Sequence, residues 1–205
     1  MRTIIFGTTN PAKIAQVKGA LAGLSVDIKG IDDYKNLPKI VEDGKTAQEN
    51  ARKKAVIFAK ATDQTVFSMD NALYLDGLGE AAQPGINVRR IQGFNGRPTD
   101  QQLIDYYSNL INQYGGEMTG YWEFAIAIAG PVGVLKEVVI KTSTRYFRSK
   151  PSQNITAGYP LESLQVDGKT GKYISDMNQR EQDTFWQESI GKELRQLFIK
   201  LFEDD

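Results

Sequence analysis

Apolar and polar positions follow two periods along this chain of 205 residues. Residues 3–7 form a mostly apolar run, which predicts a buried first strand. Asn10-Pro11 follows, with Asn suited to an N-cap and Pro to the first helical position. The predicted helix runs to about residue 22, with Ile14, Val17 and Leu21 on one face. A polar, charge-rich stretch over 32–44 reads as loop with a short strand. Thr46-Ala47-Gln48-Glu49 is a capping box pattern and opens a helix to about residue 61. Its inner stripe is Ala47, Ala51, Ala55 and Phe58. Residues 65–69 read as the next strand, ending at Asp70, and 73–75 resume extended structure. Glycine and proline make 77–96 an irregular connection. Thr99 caps a helix to about residue 114, with Leu103, Ile104, Tyr107, Leu110 and Ile111 buried. Residues 121–129 and 134–147 are strongly β-prone and flank Gly130-Pro131-Val132-Gly133, a hairpin signal. After a loop-rich stretch over 148–182, a last helix runs from about 184 to 203. Its apolar face is Ile190, Leu194, Leu197, Phe198 and Leu201.

This order, β-α, β-α-β, α, hairpin, α, predicts an α/β protein with a mixed sheet. No repeat, low-complexity block or linker interrupts it, so residues 1–205 read as one domain. Composition narrows the chemistry. There is no histidine and no cysteine. Histidine-based triads, thiolate nucleophiles and zinc sites of Cys or His are therefore excluded. A general base must be Asp, Glu, Lys, Tyr or a metal-bound water. A protein-bound metal would be a hard one held by oxygen. The 25 Lys+Arg balance 25 Asp+Glu, which argues against a nucleic-acid scaffold. No apolar stretch has membrane-spanning or signal-peptide length, so a cytoplasmic protein is expected.

Two groups of residues could carry chemistry. Thr8-Thr9-Asn10-Pro11-Ala12-Lys13 joins a strand to a helix N-terminus, where backbone N–H groups and the helix dipole favour an anion. It lacks the glycines and the GK[ST] of a P-loop, and plain capping with a solvated Lys13 is the competing reading. The second group is Glu42, Glu49, Lys54 and Asp70. Asp70 falls at the carboxyl end of a predicted strand, where α/β proteins place ligands, and Glu42 could share a cation with it. Glu49 is also explained as the reciprocal member of the capping box, and Asp70-Asn71 as a turn.

With their spacing, these strings resemble the inosine triphosphate pyrophosphatases. Thr8-x-Asn10-x-x-Lys13 is similar to that family's opening phosphate motif. Residues 42–51, from Glu42 to Ala51, are similar to its E-x-G-x-T-F-x-E-N-A, and Lys54-Ala55 to its K-A. Phe67-Ser68-Met69-Asp70-Asn71-Ala72-Leu73 stands where the family reads A-D-D-S-G-L. Leu75-Asp76-Gly77-Leu78-Gly79, then Pro84-Gly85-Ile86 with Arg90, follow V-D-A-L-G and P-G-x-x-x-A-R. The match is almost gapless from residue 3 to about 90, and the remainder follows the family's element order.

The resemblance implies an elongated two-lobed α/β fold, with a central mixed β-sheet flanked by helices and the active site in a cleft between the lobes. It implies a homodimer that hydrolyses a nucleoside triphosphate, such as (d)ITP or XTP, to the monophosphate and pyrophosphate. Thr8, Thr9, Asn10, Lys13 and Lys54 would hold phosphates, and Arg90 could reach them. Lys54 would also neutralise charge in the transition state. Glu42 and Asp70 would position Mg²⁺, with Mn²⁺ as the alternative, and Asp70 would be the general base. No nucleic-acid or membrane partner is implied.

The departures are grouped. Met69 replaces the first Asp of the pair, and Asn71-Ala72 replace Ser-Gly. The family's F-G-Y-D-P falls at Ala157-Gly158-Tyr159-Pro160, where only Gly-Tyr survives. Its late Lys and S-H-R fall near Gln182 and Trp186-Gln187-Glu188, where none survives. The phosphate and metal half of the pattern is largely kept and the base-recognition half is replaced, so base preference is expected to shift or relax. Tyr159 and Trp186 are candidate replacement stacking surfaces, with core packing as the competing reading. The alternatives are a catalytically weak nucleotide-binding protein of the same fold, and a hydrolase acting on a nucleoside diphosphate derivative.

Overall fold

Helix caps and alternating strands place most elements where the pattern predicts them. The computed structural model describes residues 2–91 and 94–203. The elements are β1 (Arg2–Phe6), α1 (Pro11–Ala20), β2 (Val26–Gly30), α2 (Ala47–Thr62), β3 (Val66–Leu75) and α3 (Asp100–Gln113). They continue as β4 (Glu117–Gly130), β5 (Gly133–Lys141), β6 (Arg145–Arg148), β7 (Gln165–Val166), α4 (Gln179–Trp186) and α5 (Lys192–Glu203). β1 is parallel to β2 and β3, whereas β4 is antiparallel to β5 and β6. Strand neighbours run β2-β1-β3-β4-β6-β7, with β5 beside β4, so the sheet is mixed as expected. Among the described residues no helix is long and apolar enough to cross a membrane.

The chain divides into two compact units. The first comprises residues 1–71, 123–141 and 183–205, and the second 72–122 and 142–182. In the first unit, Phe6 stacks on Phe67 at 4.1 Å, and Phe67 meets the edge of Phe198 at 5.4 Å. Burying each such ring contributes about 1.5–3 kcal/mol. The small side chains Ala51, Ala55 and Ala59 form the buried stripe of α2. In the second unit, Leu103, Ile104, Tyr107 and Ile111 of α3 pack with Leu73, Leu75, Met118 and Phe147.

Four boundaries differ from the sequence reading. β3 does not end at Asp70 but runs through it to Leu75. Asp-Asn favours turns, yet backbone pairing overrides that preference, since Leu73 and Gly85 exchange both backbone hydrogen bonds. The short strand expected within 32–44 is not found there, and β2, which lies before that stretch, was not expected. The strand expected over 134–147 is split into β5 and β6, which pair with different stretches of β4. Thr142 marks the break: its Oγ1 accepts from the Trp122 N–H at 3.1 Å, and its own N–H donates to the Trp122 carbonyl at 2.9 Å. The last helix starts earlier, at Gln179, and passes through a π-helical segment, Gln187–Gly191. Of the irregular stretch expected over 77–96, residues 92–93 lie outside the described residues.

Candidate active site

The site in the first unit is built from two helix N-termini and the middle of a strand. After β1, Thr8 turns the chain. Its Oγ1 accepts from the Asn10 N–H at 3.2 Å, and Asn10 Oδ1 accepts from the Ala12 N–H at 2.9 Å. The Asn10 cap and Pro11 are as predicted, and they fix the first turn of α1. Lys13 lies one turn in, and its Nζ donates to the Met69 carbonyl at 3.4 Å. Thr9 is exposed between the two capping residues.

The string from Glu42 to Asn50 is a folded cap, and Gly44, Thr46, Glu49 and Asn50 each have a physical task in it. Thr46 Oγ1 accepts from the Glu49 N–H at 3.1 Å. Glu49 Oε2 accepts from the Lys45 N–H at 2.6 Å, one residue before the partner that a capping box uses. Asn50 Oδ1 accepts from the Gly44 N–H at 2.9 Å. Gly44 lies so close to Asn50 that a Cβ would stand 2.7 Å from that oxygen and 3.1 Å from the Asn50 nitrogen. Glycine is therefore required, and the loop carrying Glu42 is tied down on α2.

Lys54 lies further along α2, on the same side as the buried Ala51 and Ala55, and is only 8% exposed. Burial of an ammonium is costly unless it is paired. Its Nζ is 2.7 Å from Glu42 Oε1 and 3.5 Å from Asp70 Oδ1, and it donates to the Met69 carbonyl at 3.2 Å. The Met69 carbonyl thus accepts from both lysines. Alternation along β3 explains the two neighbours. The Met69 side chain is 1% exposed and lies in the core, while the Asp70 carboxylate points toward Lys54.

Glu42, Lys54, Asp70 and Lys13 are therefore brought together, with Thr8, Thr9 and Asn10 on the turn leading to Lys13. The charges suit phosphates and a hard cation. Among the described residues no group of three or more Asp, Glu, His or Cys gathers as metal ligands. Lys54 already stands between Glu42 and Asp70, so a cation held by either carboxylate would fill the rest of its shell with phosphate oxygens and water. That donor set fits Mg²⁺, which is typically held by one or two carboxylates plus substrate phosphates.

The remaining candidates are distributed differently. Trp186 belongs to the first unit and is 8% exposed. It packs edge-to-face against Phe185 at 4.9 Å and Phe124 at 6.3 Å. These contacts favour the competing reading of a core aromatic, which leaves little of the ring's surface exposed. Tyr159, in the second unit, is half-buried at the start of a 3₁₀ turn, Pro160–Ser163. Arg90 is exposed and donates to Asn87 Oδ1 at 3.2 Å within its own turn.

Two residues of the second unit were not singled out. Asp100 pairs with Arg89 at 2.6 Å and accepts from the Gly158 N–H at 2.9 Å. Burial raises its pKa, but the Gly158 N–H and Arg89 outweigh that and hold the carboxyl below its ordinary range. Burial pushes Glu162 up to about 7, against a hydrogen bond with Thr156. Asp100 beside the Thr99 cap reads in sequence as a helix-dipole charge, and Glu162 as one acid in a loop. Only the long-range contacts distinguish them.

A model of the Ham1 family matches residues 4–185. This chain belongs to the Ham1 family. The membership agrees with the resemblance to inosine triphosphate pyrophosphatases drawn from the motifs. A dITP/XTP pyrophosphatase of Streptomyces avermitilis is 34% identical over 176 residues, which cover 83% of this chain and 84% of that protein. A dITP/XTP pyrophosphatase of Anaeromyxobacter dehalogenans is 40% identical over 88 residues. There the alignment spans 42% of this chain and only 37% of the relative's length. The solved structure of a HAM1 protein from Coxiella burnetii superposes with a TM-score of 0.72 at 20% identity, covering 99% of this chain and all of that one. At that identity the likeness speaks for the fold, an α/β structure with a mixed sheet.

Proposed function

We propose that this Ham1-family protein is a Mg²⁺-dependent nucleoside triphosphate pyrophosphatase with altered base recognition. The observation that carries the reading is the Lys54 ammonium set between Glu42 and Asp70, with Lys13 on the same Met69 carbonyl. Phosphoryl transfer asks mainly for positioning and charge neutralisation, and this cluster supplies both. Thr8, Thr9 and Asn10, at the N-terminus of α1, donate to phosphate oxygens, and Lys13 and Lys54 neutralise the triphosphate. Asp70 accepts the proton of the attacking water. The water oxygen bonds to the α-phosphorus as the bond to the bridging oxygen breaks, and pyrophosphate leaves. A divalent cation, when bound at Glu42 and Asp70, adds charge stabilisation at the phosphates; Mn²⁺ is the alternative to Mg²⁺.

The relatives, named as dITP/XTP pyrophosphatases, point to dITP and XTP as the substrate class. The replaced S-H-R and F-G-Y-D-P segments make the preference of this chain its own, with Tyr159 as the base contact. Action in the cytoplasm as a homodimer belongs to the same proposal. One observation favours a second reading, a weakly catalytic nucleotide-binding protein: the Met69 side chain lies in the core where the resembled family has a carboxylate. The test is a panel of ordinary and deaminated (d)NTPs assayed for pyrophosphate with Mg²⁺, with Mn²⁺ and with EDTA. Pyrophosphate and monophosphate from at least one nucleotide, abolished by EDTA, are expected. Tight binding without turnover would favour the second reading, and other phosphate fragments would point to a nucleoside diphosphate derivative as substrate.

A further inference from the structure

Two residues without a counterpart in the quoted motifs, Asp100 and Arg89 (which stands where P-G-x-x-x-A-R has Ala), hold the turn that carries Tyr159. Asp100 lies in the first turn of α3. Its Oδ2 accepts from the Gly158 N–H at 2.9 Å, and its Oδ1 takes Arg89 Nη2 at 2.6 Å. Arg89 Nη1 donates in turn to the Gly158 carbonyl at 3.3 Å. Both polar backbone groups of one residue are thus gripped by a carboxylate and a guanidinium that also pair with each other. Gly158 has φ +84°, a conformation that glycine adopts without steric cost. The Tyr159 N–H then donates to the Thr156 carbonyl at 2.9 Å and closes the turn.

An ion pair this exposed contributes little to stability by itself. Its bonds to both sides of the Gly158 backbone give it a second consequence. A substrate contact placed on a turn is only as well aimed as the turn's support. The fork of Arg89 reaches Asp100 and the Gly158 carbonyl at once, which a lysine ammonium does not reproduce. It also commits Arg89 to the turn rather than to a phosphate, although its neighbour Arg90 is the residue with a counterpart in the resembled family.

We propose that Arg89 and Asp100 are positioning residues that aim Tyr159, and that through it they set which base the enzyme prefers. The inference rests on the pyrophosphatase reading and on Tyr159 as base contact.

The test uses the full-length protein and its variants Asp100→Asn and Arg89→Lys. Each is assayed on inosine, xanthosine, guanosine, adenosine and cytidine triphosphates, and hydrogen exchange is followed at the Gly158 amide. The expected result is a KM about tenfold higher on the preferred nucleotide, kcat within about threefold, a flattened ranking of bases and faster exchange at Gly158. A merely structural pair would move the exchange rate and leave KM and ranking in place, and that outcome overturns the specificity role. Unchanged exchange in both variants overturns the brace itself. A wild type that releases no pyrophosphate from any nucleotide overturns the underlying reading instead. If Arg89→Lys does not fold, Asp100→Asn, which keeps the shape of Asp, carries the measurement.

Discussion

In the first unit the candidate side chains Lys13, Lys54 and Asp70 project from regular elements, whereas in the second the candidate Tyr159 lies on a turn. Lys13 and Lys54 are helix residues, Asp70 is a strand residue, and Glu42 is tied to a helix cap through Gly44 and Asn50. Tyr159 sits on a turn held by Arg89 and Asp100, which come from an irregular segment and a helix start. Backbone hydrogen bonds of helix and strand support Lys13, Lys54 and Asp70, and cap bonds support the loop of Glu42. The turn of Tyr159 depends on a few side-chain bonds. The resembled family's phosphate letters, Thr8, Asn10, Lys13, Glu42, Lys54 and Asp70, all fall in the first unit, where Met69 and Trp186-Gln187-Glu188 depart from the pattern, and the F-G-Y-D-P segment of the second unit keeps only Gly158-Tyr159. On the proposed function, charge neutralisation at a triphosphate is indifferent to the base, and a base contact on a turn can be exchanged without disturbing it.

This contrast can be broken most forcefully at Lys54. Lys54→Met should lower kcat by about 10²–10³-fold on every nucleotide tested, while the order of preference among bases stays the same. Steady-state kinetics over the panel checks it, and a changed order would erase the distinction between the two regions. Trp186→Ala sharpens the contrast from the other side. It should cost about 3–5 kcal/mol of stability in urea unfolding, as expected for a buried aromatic, with base ranking unaltered in the folded protein. An altered ranking would restore Trp186 as a base contact.

The smallest expected effect is a pH dependence in the second unit. Burial raises Glu162 from 4.5 to about 7 in the folded state, so the folded protein holds this proton more tightly than the unfolded chain. The resulting stabilisation is complete below about pH 4.5 and is lost as pH rises through about 7. Unfolding free energy should therefore fall between about pH 5 and pH 8 through this residue, by on the order of 3 kcal/mol. Glu162→Gln should flatten that slope in urea titrations across the range. A slope unchanged in the variant would show that Glu162 ionises freely in the fold.

The first region was largely legible in the sequence because its contacts are short-range. The Asn10 cap bonds two residues on, the Thr46 cap three, and Gly44 meets Asn50 six residues on. The junction of Lys54 with Asp70 is not local, but both residues lie on elements that the apolar pattern predicts. Asp70 itself was misplaced within β3, because a turn-forming pair hid a strand whose continuity comes from pairing with Gly85. β2 was missed because its polar Asp27 and Lys29 obscure a short parallel strand that β1 stabilises. In the second region the informative bonds span 58 and 69 residues of sequence, from Gly158 to Asp100 and to Arg89. No local signal predicts them. Trp186 was ambiguous for a related reason, since an aromatic on a helix reads alike whether it packs against Phe124 or awaits a ligand.

The most direct measurement compares Asp70→Asn with Tyr159→Ala on one nucleotide panel, reading kcat and KM for each base by pyrophosphate release. The account predicts that Asp70→Asn loses about 10³-fold in kcat on every nucleotide and keeps the wild-type ranking. Tyr159→Ala should lose less than about tenfold in kcat on its best nucleotide, raise KM and reorder the bases. Turnover in Asp70→Asn comparable to wild type, or a reordering in Asp70→Asn with none in Tyr159→Ala, would contradict it.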